Sequence, residues 1–245
     1  FIQRVLSPLP LQTIALLFHS GWSIERIFRL CFQRMNHLKN APGASGPTPS
    51  LAPQFLEFVS AVKYLRALQV QDAINLSYFE AEGVPQLILH INEEDKNREE
   101  AKQFALAVNV EPGKTRYVLT FAPTFNRTDQ IRIVTRSLLG TMFYLSQAVE
   151  VSTQDTLRGK VTKTKTSAGD VFDWKKVTGD LLRIRSLPEK PEENAMIIFY
   201  RGTWFYIDDS DLSSKSTFSL LAQIFSLQAG KIKDNAPLLT LPIGQ

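Results

Sequence analysis

The sequence predicts an α+β fold with a mostly antiparallel sheet, packed helices and a helical N-terminal segment. Three observations carry this: strand-length apolar runs meet through short turns, apolar residues recur at helical spacing in separate blocks, and the two kinds of run do not alternate as a parallel βαβ sheet requires.

In chain order, Leu11–Ser20 and Ser23–Leu38 read as helices parted at Gly21, with Ser23 as the N-cap of the second. In that second helix Ile24, Ile27, Phe28, Cys31, Phe32, Met35 and Leu38 share a face, leaving Arg26 and Arg29 on the other, open to solvent or a partner. Residues 40–53 hold four prolines and two glycines, which no helix tolerates, so they mark a loop or linker between the 1–39 helical segment and an α+β domain at 54–245. Pro53–Gln69 resumes as a helix on a stripe of Phe55, Phe58, Val62 and Leu65. Ala73–Phe79 and Val84–Ile91 read as a hairpin, and Glu93–Val108 as a helix opening with acids suited to the positive end of its dipole. Strands at Arg116–Phe121 and Ile131–Thr135, a helix at Ser137–Ala148 and a strand at Leu181–Leu187 follow. The clearest unit comes last: Ala195–Tyr200 and Thr203–Asp208 flank a two-residue turn, then an acidic loop leads to a helix closed by Gly230. Its unbroken apolarity predicts a central hairpin covered on both faces.

Of the 245 residues, 44% are hydrophobic and 21% charged, the balance of a globular protein, and the formal charge of +4 is too mild to imply a nucleic-acid partner. Apolar runs fall well short of the ~18 residues of a membrane-spanning helix. The chain opens at Phe1 without a signal-peptide pattern, so a processed or excised chain is expected, with any signal or membrane anchor missing from it.

Few residues carry chemistry. The single cysteine, Cys31, sits in an apolar helical run and reads as a buried structural thiol. His19, His37 and His90 lie on separate elements in no ligand-spaced motif, and neither a nucleophile elbow nor a Gly-rich phosphate loop occurs, so no metal or cofactor is expected. Asp208, Asp209 and Asp211 cluster where a strand gives way to a helix: they can cap the turn, or serve a metal-assisted hydrolase as cation ligands or acid and base. Residues 158–185 hold eight basic side chains against three acids, with Lys160, Lys163 and Lys165 in an extended stretch that suits an anionic lipid or nucleic acid, or a solvated loop.

Tyr200-Arg-Gly-x-Trp-Phe-Tyr-Ile-Asp-Asp-x-Asp211, Ser214-Lys-x-Thr-Phe-x-Leu-Leu221, Leu227-Gln-Ala-Gly230, Ser20-Gly-Trp-Ser-Ile-Glu-Arg26 and the 44–49 loop together resemble a family of bacterial proteins with no established activity, some exported as lipoproteins. The resemblance spans most of the chain, implies the bacterial periplasm or envelope rather than the cytoplasm, and assigns no residue a role. Without catalytic motifs, the expectation is a non-enzymatic component that binds a protein partner through Arg26, Arg29, Lys160, Lys163 and Lys165, with a membrane surface reached only through the missing anchor.

Overall fold

Changes in apolar period set the element order in the computed structural model, which describes residues 2–41, 51–122, 127–191 and 194–229. Most of the 40–53 stretch, and Gly230, therefore lie outside the described residues. Helices α1 (Ile2–Leu6), α2 (Leu11–His19) and α3 (Ile24–Cys31) lead into strands β1 (Phe32–Met35) and β2 (Leu38–Lys39). Next come α4 (Leu56–Val70), β3 (Ile74–Ala81), β4 (Val84–Ile91), α5 (Glu99–Ala107), β5 (Arg116–Thr120), β6 (Gln130–Thr135) and α6 (Leu138–Ser146). Short α7 (Thr153–Leu157) and α8 (Lys175–Thr178) precede β7 (Arg185–Leu187), β8 (Asn194–Tyr200), β9 (Thr203–Asp208) and α9 (Leu212–Ala229).

The fold is α+β. Six strands in the order β2-β1-β6-β5-β4-β3 form the larger sheet, in which only β5 and β6 run parallel, and β7-β9-β8 form a second, antiparallel sheet. Alternation decides which side of the larger sheet is covered. Leu76, Leu89 and Tyr117 face one way across β3, β4 and β5, as do Leu87, Leu119 and Ile131 across β4, β5 and β6, and all are buried in one core with residues of α2, α3, α4 and α5. Intervening positions such as Phe79, His90, Arg116 and Arg132 are exposed, whereas Ile88, Val118 and Thr120 between them are buried, so the other face meets solvent only in part.

The helix expected to run to Leu38 stops at Cys31, and the chain turns into the β1–β2 hairpin. Over so few residues buried Phe32 and Met35 satisfy either pattern, and the choice falls to hydrogen bonding. In a continuing helix the carbonyls of Arg29, Leu30 and Phe32 would accept from amides four residues on. Instead all three accept from Arg136 Nη1, at 2.8, 3.1 and 2.7 Å, while Arg136 Nη2 takes the Asn40 carbonyl. Asn40 Nδ2 adds bonds to the carbonyls of Arg29 and Phe32 at 2.9 and 2.7 Å. The guanidinium lies 4.1 Å from the Tyr144 ring centroid, a cation–π contact, at the negative end of the α3 dipole. Burial draws Arg136 down to about 10, which leaves it charged at neutral pH.

The acids at 93–95 lie in turns, and α5 begins only at Glu99. Asn92 donates to the Asp72 carbonyl at 3.0 Å and Asp95 pairs with Arg98, local side-chain bonds that compete with helix.

Arg136→Leu orphans several buried carbonyls at once, so it should cost at least about 3 kcal/mol in urea denaturation. A loss under about 1 kcal/mol would show that the guanidinium does not hold the α3–β1 corner.

Candidate functional site

The three aspartates sit where β9 passes into α9, and each carboxylate is engaged locally. Asp208 Oδ1 accepts from the Ser210 amide at 3.0 Å and its hydroxyl at 2.6 Å, an Asx turn, and Oδ2 lies 3.4 Å from Arg185. Those Ser210 bonds hold the Asp208 carboxyl below its usual range, which makes it a poor proton donor at neutral pH. Asp209 pairs with Lys215 at 2.5 Å. Asp211 accepts from the Ser214 amide at 3.0 Å and hydroxyl at 2.7 Å, an N-cap of α9. Among the described residues no group of three His, Cys, Asp or Glu side chains is placed to hold a metal ion.

Arg26 and Arg29 are brought to the same junction. Arg26 Nη1 donates to the Ser213 carbonyl at 2.8 Å and to Thr217 Oγ1 at 3.0 Å, which ties α3 to the first two turns of α9. Arg29 is only 2% exposed, so it is an internal group rather than part of a contact surface. Its two terminal nitrogens meet the Asp180 carboxylate at 2.6 and 2.7 Å in a bidentate pair, and one also donates to the Val177 carbonyl at 3.0 Å. Burial opposes the Arg29 charge, yet the Asp180 hydrogen bond together with the electrostatic pull of Tyr144, Asp180 and Glu25 outweighs it and raises the pKa. Ser213 donates to the Asp180 carbonyl at 2.7 Å, and the Arg183 amide donates to Ser214 Oγ at 2.8 Å. Trp22 Nε1 donates to Gln223 Oε1 at 2.7 Å. The 20–26 and 208–221 motifs thus pack against each other. Asp180, Ser213 and Thr217 complete this network, and nothing in the sequence around Asp180 marks it.

Lys160, Lys163 and Lys165 lie apart from that junction and are exposed. Thr164 between the last two is buried and accepts from Trp174 Nε1 at 3.0 Å, so Lys163 and Lys165 project outward on either side of it. Lys160 and Lys163 line a cavity of about 630 Å³ that also takes in Arg201 and three acids, Glu150, Asp155 and Asp173. Glu150 pairs with Lys175 across it at 3.4 Å. The acids dilute the basic character of the segment.

The hairpin departs furthest from expectation. Rather than lying centrally it forms the margin of the smaller sheet, with β8 at the edge. Both turn residues have left-handed φ, 51° at Arg201 and 80° at Gly202, as a two-residue hairpin turn requires. At its base Met196 faces buried Ile207, while Ile197, Ile198, Phe199 and Tyr200 are 39, 64, 55 and 61% exposed. A run that is apolar on both faces reads alike whether this chain or another molecule covers it. The Phe199 and Trp204 rings meet tilted at 44° with centroids 4.7 Å apart, and Lys190 Nζ stands 5.8 Å from the Trp204 ring centroid.

The three histidines are exposed on separate elements, and burial pushes the Cys31 thiol up to about 12, which removes it as a nucleophile. No helix among the described residues is long and apolar enough to cross a membrane. The chain matches no protein-family model, no curated protein and no solved structure.

If the acidic turn is a capping device, Asp211→Ala should cost about 1 kcal/mol in urea denaturation and Asp209→Ala under about 0.5. Wild type and both variants should then give the same flat response to divalent cations in tryptophan fluorescence. A saturable response lost in either variant would restore the metal-site reading.

Proposed function

We propose that the chain is a non-enzymatic component of a bacterial cell-envelope assembly, and that it binds a protein partner by taking an extended segment of that partner along β8. One observation carries the reading: seven consecutive uncharged residues form an edge strand, and its last four expose large apolar side chains. Native sheets guard such edges with lysine, proline, bulges or covering elements, because unpaired amides and carbonyls invite another strand. An added strand would satisfy those groups and cover side chains on both faces of β8. The base of the strand is fixed, since Met196 packs on the core and β9 leads into the network of Asp211, Arg26 and Arg29. The envelope location is supported by the sequence resemblance alone.

The hydrolase reading draws less support, because the carboxylates it needs are occupied by Ser210, Lys215 and Ser214.

A photo-cross-linking residue replacing Tyr200 should capture a discrete protein in cells that express the chain naturally, and the same residue replacing exposed Leu157 on α7 should not. Adding Ile198→Lys should weaken capture at least tenfold, since burying an isoleucine is worth about 1.5–3 kcal/mol, while the melting temperature stays within a few degrees. Equal capture from positions 157 and 200, or full capture with Ile198→Lys, would contradict the reading.

A further inference from the structure

Pairing β2, β1 and β6 sets three cations together on the side of the larger sheet that faces away from the core. Lys39 stands directly opposite Arg34 in the β1–β2 register, and Arg34 stands opposite Val134, two residues from Arg132 on β6. Directly opposed neighbours lie roughly 5 Å apart and diagonal ones about 7–8 Å, separations at which like charges repel. Among the described residues no carboxylate forms an ion pair with any of the three. The acids nearby are engaged or out of reach: Asp129 pairs with Arg127 at 3.4 Å, Glu111 with Lys114 at 3.0 Å, and Glu57 shares a groove with Lys39 without meeting it.

The arrangement is held in place. Asn36, at φ 47°, closes the β1–β2 turn. Its amide donates to the Arg132 carbonyl at 2.7 Å, its Oδ1 accepts from the Arg132 amide at 2.8 Å, and its Nδ2 donates to the Val108 carbonyl at 2.5 Å. The side chain thus stands in for a strand residue and fixes Arg132 beside β1. Arg34 divides two concavities, one of about 910 Å³ shared with Asn36, Thr128 and Arg132, the other of about 410 Å³ shared with Lys39 and Gln54.

We propose that Lys39, Arg34 and Arg132 form a binding site for a phosphate group. Two guanidinium forks can each grip a phosphate with paired N–H···O bonds, the ammonium adds a third positive group, and the bound anion relieves repulsion built into the strand pairing. The proposal stands independently of the partner reading at β8.

The test is an NMR titration of the full chain with inorganic phosphate against chloride at matched ionic strength. Saturable shifts should centre on the amides of Arg34, Asn36 and Arg132, weaken at least tenfold in an Arg34→Gln/Arg132→Gln variant, and persist in Arg116→Gln, which alters the same face farther along. Phosphate should raise the melting temperature of the wild type and leave that of the double variant unmoved. Glycerol phosphate and vesicles of phosphatidylglycerol separate the sources: tighter, Arg34-dependent binding of the soluble ester assigns a free phosphate ligand, and of the vesicles a lipid headgroup. An equal response to chloride, or a double variant that still gains stability from phosphate, would overturn the proposal.

Discussion

One buried cation decides how the N-terminal third joins the rest of the molecule. Among the described residues Arg136 has no carboxylate partner, and its charge is met by backbone carbonyls gathered at the end of α3 and by the face of Tyr144. Removing an ionised group from water is costly, and this one recovers part of the cost from carbonyls at the end of α3 that had just lost their helical partners, while its buried Nε has no partner among the described residues. The exchange ends α3, frees Phe32–Met35 to pair with β6, and so adds two strands to the larger sheet. Without it, neither the covered core nor the solvent face of that sheet would have its present width.

A second polar junction does the corresponding work for the smaller sheet. Arg29 holds Asp180, Arg26 holds the start of α9, and Ser213 and Ser214 link that start to the segment ahead of β7. Residues that suggest a surface or catalytic role in sequence are spent on joining elements. The free end of the β8–β9 hairpin is held by none of these bonds, and among the described residues its apolar side chains are exposed. Rigidity at the base and exposure at the tip are complementary: an ordered edge strand adds less ordering cost on binding than a loop would.

Local pattern carried much of the fold. The Ile74–Ile91 hairpin, the apolar stripe of α4 and the hairpin around Arg201-Gly202 were all legible, because each is set by neighbours in sequence. The end of α3 was not, since Arg136 comes from more than a hundred residues downstream and nothing around Cys31 announces it. Nor does sequence tell apolar side chains that face a core from those left at an edge, which is why the hairpin reads as central. At the aspartates the capping alternative was visible in the serines that follow, whereas the bidentate partner of Arg29 was not, because Asp180 lies in an unpatterned loop. Lys39, Arg34 and Arg132 become a cluster only once β1 is a strand.

The account rests on β8 being an ordered strand with an unoccupied edge. Amide hydrogen exchange on the free chain tests this most directly. Slow exchange is expected in β9 across Trp204–Tyr206, which is paired on both sides, and in β8 only for the amides directed at β9, with its outward amides exchanging far faster. Uniform protection of every β8 amide in the free chain would mean that the edge is already covered, and would contradict it.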